Sequence, residues 1–168
     1  FDVGTAGALA WLAQVPAAKS ARIGLLGPGS VASGTSWAPA LVANLRDHGY
    51  VEGTNLSVES RWAEGDNNRL AELAAELVRL NVDVIVTFQT PAALAAKRAT
   101  TTIPIVMVIG VDPVRNGLID SFARPGRNIT GLTNEPGQQV FWYLNGGAVT
   151  DILKQVPQRA AAFAIQER

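Results

Sequence analysis

Beyond Arg22 the chain alternates short apolar, β-branched runs with stretches whose apolar positions recur every three or four residues. That alternation is the pattern of βαβ units around a parallel sheet. The strands are expected at Arg22–Leu26 (RIGLL), Asn55–Arg61 (NLSVESR), Asp83–Phe88 (DVIVTF), Pro104–Ile109 (PIVMVI) and Asn128–Leu132 (NITGL). The third and fourth are continuous apolar runs, as in central strands covered on both faces, whereas Leu56 and Val58 alternate with polar neighbours and place the second at an edge. Helices are expected from Ser36 to His48, from Asp66 or Asn67 onward, from Pro91 to Ala99, and from Pro113 to Phe122. In the second of these Leu70, Leu73, Ala74, Leu77 and Val78 share one side while Arg69, Glu72, Glu76 and Arg79 take the other. Thr90 is the expected cap of the third, with Pro91 at its first helical position. Right-handed crossovers then give an α/β fold: a doubly wound parallel sheet of about five strands in the order 2-1-3-4-5.

The ends of the chain do not follow this pattern. Val3 to Val15 is almost wholly small or apolar, too short to span a membrane, and lacks an amphipathic stripe. It reads as a secretory leader without its basic start, or alternatively as a helix packed on the domain; residues 1–21 form a leader-like segment, 22–132 one α/β lobe, and 133–168 a crossover of weaker signal with the incomplete start of a second lobe.

Composition narrows the function. Fourteen basic side chains against fourteen acidic ones leave no net charge, which removes the broad positive field that nucleic acid binding exploits. With no cysteine and a single histidine, His48 at a helix end, there is no thiolate chemistry, no expected metal site, and no Ser/His/Asp set. The acidic residues Glu52, Glu59, Glu64, Glu72 and Glu76 are scattered, so no catalytic residue is assigned and no cofactor is expected.

Open parallel sheets bind ligands beyond the carboxyl ends of their strands, and that rule selects four loops: Gly27–Ser36, Trp62–Asn67, Gln89–Pro91 and Gly110–Pro113. The first, GPGSVASGTS, offers glycine backbone and the hydroxyls of Ser30, Ser33, Thr35 and Ser36, but it is neither G-x-G-x-x-G nor a P-loop. It is an anion-friendly loop or a flexible hydroxyl-capped one. Gln89, Thr90 and the amides of Ala92 and Ala93 stand at a helix start whose dipole suits a ligand carboxylate, a role compatible with Thr90 as a cap. Asp112 is the acidic counterpart for a ligand ammonium, or the cap of the helix after Pro113. Trp37 and Trp62 fall at the same edge, for stacking on a ligand or for core packing.

The stretch GYVEGTNLSVESRWAEG, the helix and strand TPAALAAKRATTTIPIV, and DPVRNGLIDSFARPGRNITG resemble the ABC transporter substrate-binding family typified by tryptophan- and phenylalanine-binding lipoproteins, from about Arg22 to Asn134. The resemblance implies a periplasmic-binding-protein-like fold of two lobes around a small ligand, of which this chain carries the first. It further implies export to the periplasm or cell exterior and partnership with the membrane permease of an importer. First-lobe ligand contacts would come from Gly29 and Ser30, from Gln89 and Thr90, from Asp112, and from Asn134 and Glu135 in the crossover. Two departures bear on this: VFWYLNGGAVTD replaces a charged amphipathic helix, and AAAFAIQER stands where the first strand of lobe two would begin, so a second lobe is expected to be absent and the chain truncated. The same βα alternation also permits a Rossmann- or flavodoxin-like enzyme or an isolated sensory binding module.

Overall fold

The computed structural model describes residues 20–34, 38–121 and 128–133. The five apolar runs become strands β1 (Ala21–Gly27), β2 (Leu56–Trp62), β3 (Val84–Phe88), β4 (Ile105–Gly110) and β5 (Ile129–Thr133). All are paired in parallel in the order β2-β1-β3-β4-β5, as the alternation predicts. Because a parallel pair needs a crossover between its strands, every carboxyl end lies on one edge of the sheet.

The strand order decides where the helices lie. The step from β1 to β2 runs one way and the later steps run the other, so right-handed crossovers put the first connection on one face and the following ones on the opposite face. Helix α1 (Val31–Gly34) is a single turn, and α2 (Ala38–Asp47) follows it, burying Leu45 with Ile23, Leu25, Val84, Val86 and Val106. Helices α3 (Leu70–Arg79) and α4 (Gln89–Ala99) cover the other face, with Leu26, Ile85, Ile105, Met107 and Ile129 beneath them.

The best-patterned helix owes its position to spacing and to one glycine. Leu70, Leu73, Ala74 and Leu77 of α3 are buried at intervals that make one stripe. Asp66 starts the helix by accepting the Asn68 amide and capping a 3-10 turn, Asn67–Arg69, that leads into it. Leu77 lies over Gly24, where an added Cβ would sit 3.1 Å from its methyl carbons, so the bare backbone sets how closely helix and strand approach. In α4 the buried residues are all alanines (Ala92, Ala93, Ala95, Ala96), which again permits close packing on the sheet.

The second strand is at the edge as expected, paired with β1 alone and mostly half-buried. Val84 to Val86 are closed off as expected, but Val108 of β4 is only half-buried, while Leu25 and Leu26 of β1 have no exposure at all. The middle of the sheet is therefore three strands, β1, β3 and β4, because β1 has a helix on each face. The helix expected at Pro113–Phe122 is a correction: the described part is a run of turns, closed by Asn116 N to Asp112 O, Gly117 N to Val114 O, and Leu118 N to Pro113 O. Pro113 and Leu118 are buried five residues apart, which anchors a compact loop and fits no helical stripe.

Candidate functional site

In this strand order the switch point lies between β1 and β3, whose chains leave the sheet toward opposite faces and open a crevice at their carboxyl ends. On the β1 side the loop Gly27–Ser30 is sewn to the segment after β2. Ala63 N donates to Gly27 O (2.9 Å), Gly65 N to Pro28 O (2.8 Å), and Glu64 N to Gly29 O (2.9 Å). The Glu64 carboxylate accepts the Val31 amide at 3.2 Å. Gly29 and Ser30 are thus held at the rim by three successive backbone bonds and one side chain.

Trp62 packs beneath this loop. Its ring lies over Gly27, where a Cβ would come within 2.3 Å of the ring, and it meets Phe88 of β3 at a centroid distance of 6.3 Å. Of the two roles open to it from sequence, the structure supplies packing: one aromatic side chain ties the ends of β2, β1 and β3 together.

On the β3 side the helix register differs from the expected one. Phe88, not Thr90, occupies the cap position of α4, and it does so without a side-chain bond. The signal misread was Thr-Pro, which also fits a residue inside the first turn. With Phe88 as cap, Ala92 and Ala93 lie within the hydrogen-bonded helix, and the amides the helix itself leaves unused are those of Gln89 and Thr90. The hydroxyl of Thr90 instead accepts the Val111 amide (3.1 Å) and lies 3.4 Å from the Val111 carbonyl oxygen. Helix start and β4 exit are therefore joined directly.

Asp112 follows that exit. Its carboxylate accepts the Arg115 amide at 3.1 Å, so it caps the turn after Pro113, and the residue is half-buried at the same edge. Adjacent strands are about 5 Å apart, so the segments that follow β3 and β4 leave the sheet side by side. Asn134 and Glu135, and likewise Thr35, Ser36 and Trp37, lie outside the described residues.

One feature of the edge was not read from sequence. Glu64, Gln89 and Asp112, just past β2, β3 and β4, all have left-handed backbone, with φ of 53°, 62° and 46°. Non-glycine residues take that conformation rarely, and such strain concentrates where a structure holds groups for binding. Glu64 was set aside as one of several scattered acids; the Glu64-Gly65 pair after a strand was the available clue. Among the described residues no group of three acidic or histidine side chains gathers as a metal site.

A five-stranded parallel sheet in the order 2-1-3-4-5, with its switch point at the carboxyl ends of β1 and β3, is a lobe of periplasmic-binding-protein fold. The comparisons name the family. The model for ABC transporter substrate binding proteins matches residues 37–140. A tyrosine-binding protein of Clostridioides difficile (strain R20291) is 31% identical over 121 residues, which cover 72% of this chain and 33% of the relative. Among solved structures, a conserved domain protein from Vibrio cholerae matches at TM-score 0.66 and 33% identity, over 71% of this chain and 40% of the other. The ligand-free, open structure of a substrate binding protein with adhesive properties from Clostridium difficile matches at TM-score 0.64 and 27% identity, over 69% and 39% of the two chains. An ABC domain from Streptococcus pneumoniae in complex with L-Trp matches at TM-score 0.63 and 28% identity, over 70% and 39%. The chain belongs to the ABC transporter substrate-binding protein family, and its matched part spans about a third of the length of the curated relative.

Proposed function

We propose that this chain supplies the first lobe of the solute-binding component of an ABC-type importer, which captures an amino-acid-like ligand outside the cytoplasmic membrane and delivers it to a membrane permease. The lobe is residues 22–132, with 133–168 as the crossover and the apolar segment 1–21 standing apart. The ligand carboxylate accepts the amides of Gln89 and Thr90 at the positive end of α4, and its ammonium meets Asp112. Gly29 and Ser30 bound the site from β1, and Asn134 and Glu135 complete it from the crossover. The chain binds its ligand without transforming it.

The observation that carries this reading is the bond between Thr90 and Val111, which joins a helix start suited to an anion and an acid suited to a cation into one unit at the carboxyl ends of β3 and β4, beside the switch point. The printed names of the relatives, one tyrosine-binding and one complexed with L-Trp, support an amino acid as ligand. The test is a titration of the isotope-labelled chain with L-tyrosine, L-tryptophan and L-phenylalanine, followed by amide chemical shifts. Saturable shifts should concentrate at 29–30, 89–90 and 111–112. Shifts at the opposite sheet edge, or none at millimolar ligand, would overturn the assignment.

A further inference from the structure

Helix α4 grips the segment after β4 at two points. Thr90, in its first turn, takes the Val111 amide. Lys97, seven residues later and therefore two turns along the same side, about 10 Å away, donates its ammonium to the Gly117 carbonyl and to the Leu118 carbonyl at 3.4 Å. Between these points the segment is a closed unit: Asn116 Nδ2 donates to the Val111 and Asp112 carbonyls at 2.9 and 3.0 Å, and Asp112 takes the Arg115 amide. Asp112 and Gly117, both left-handed at φ 46° and 66°, mark its two bends.

Among the described residues, the Lys97 ammonium meets these carbonyls and no carboxylate. Ordering a long lysine side chain costs rotamer entropy, and the half-buried Lys97 meets that cost with bonds to two carbonyls of one loop. We infer that Lys97 is a positioning residue for the ligand site: by fixing the far end of the 111–118 loop it sets the place of Asp112 at the near end, and with it the recognition of a ligand ammonium. This rests on the amino-acid reading above.

The experiment compares wild type, Lys97→Met and Lys97→Arg in two measurements. In amide exchange, Lys97→Met should speed exchange at Arg115 to Leu118 about tenfold while α3 and the strands are unchanged, and Lys97→Arg should restore protection. In ligand titration, Lys97→Met should weaken L-phenylalanine roughly fivefold yet leave 3-phenylpropionate, which lacks the ammonium, unaltered. Unchanged exchange in Lys97→Met overturns the clamp. Equal weakening of both ligands overturns the positioning role and leaves Lys97 a general stabiliser. A wild-type chain that binds neither ligand tells against the amino-acid reading, and the exchange comparison then decides the clamp by itself.

Discussion

Gln89, like Glu64, has left-handed backbone at the ligand edge. Asp112 belongs to a residue type that enters left-handed backbone more readily, but a glutamine gains nothing there, and left-handed backbone costs a residue with a Cβ about 1 kcal/mol or more. Its side chain is exposed, so packing does not repay the strain. Gln89→Gly should therefore raise unfolding stability by about 1 kcal/mol, with Gln89→Ala close to wild type, measured by urea unfolding. A loss of stability in Gln89→Gly would mean that the glutamine side chain holds the helix start. The neighbouring Gly27 is the reverse case, a position where the missing Cβ makes room for Trp62. Its need for glycine could not be read from GPG alone, because the partner ring comes from a strand 35 residues further along the chain.

At the scale of elements, α3 shows how far periodicity reaches. Its stripe predicts the buried face, and Leu77, fully buried over Gly24, is the residue on which that face turns. Leu77→Ala leaves a void above a glycine that cannot fill it, so a loss of about 3 kcal/mol is expected in chemical denaturation. A loss under about 1 kcal/mol would show that the helix re-seats on the strand. The strands and their order were legible for the same reason, since continuous apolar runs and alternating ones differ in a single chain. Helix α4 and the segment after β4 were less so. In α4 the local Thr-Pro signal was outweighed by a bond from Thr90 to a residue 21 positions away. After Pro113, the hydrogen-bonding side chains of Asp112 and Asn116 close a tight turn sequence in place of a helix.

At the scale of the molecule, the proposed site is an assembly of segments far apart in sequence, the loops after β1, β3 and β4, that only the strand order brings to one edge. Gly29, Ser30, Gln89, Thr90 and Asp112 were chosen from sequence by that rule together with the family resemblance, and the contacts in which they take part, Glu64 to the first loop and Thr90 to the third, are long-range and carry no local signature. Such an assembly makes a separable claim about each charged group of the ligand. Asparagine tolerates left-handed backbone as well as aspartate does, and its side-chain oxygen can still accept the Arg115 amide, so Asp112→Asn should fold with unchanged stability. What it loses is the negative charge. L-tyrosine should then bind about tenfold more weakly, the scale of one charge-assisted hydrogen bond, while 3-(4-hydroxyphenyl)propionate, with the same ring and carboxylate but no ammonium, should bind Asp112→Asn and wild type alike. Calorimetric or shift titration of both compounds against both proteins distinguishes the outcomes. If both ligands weaken together, Asp112 acts through the shape of its turn; if neither does, the ammonium is read elsewhere and the acid at the end of β4 is a cap alone.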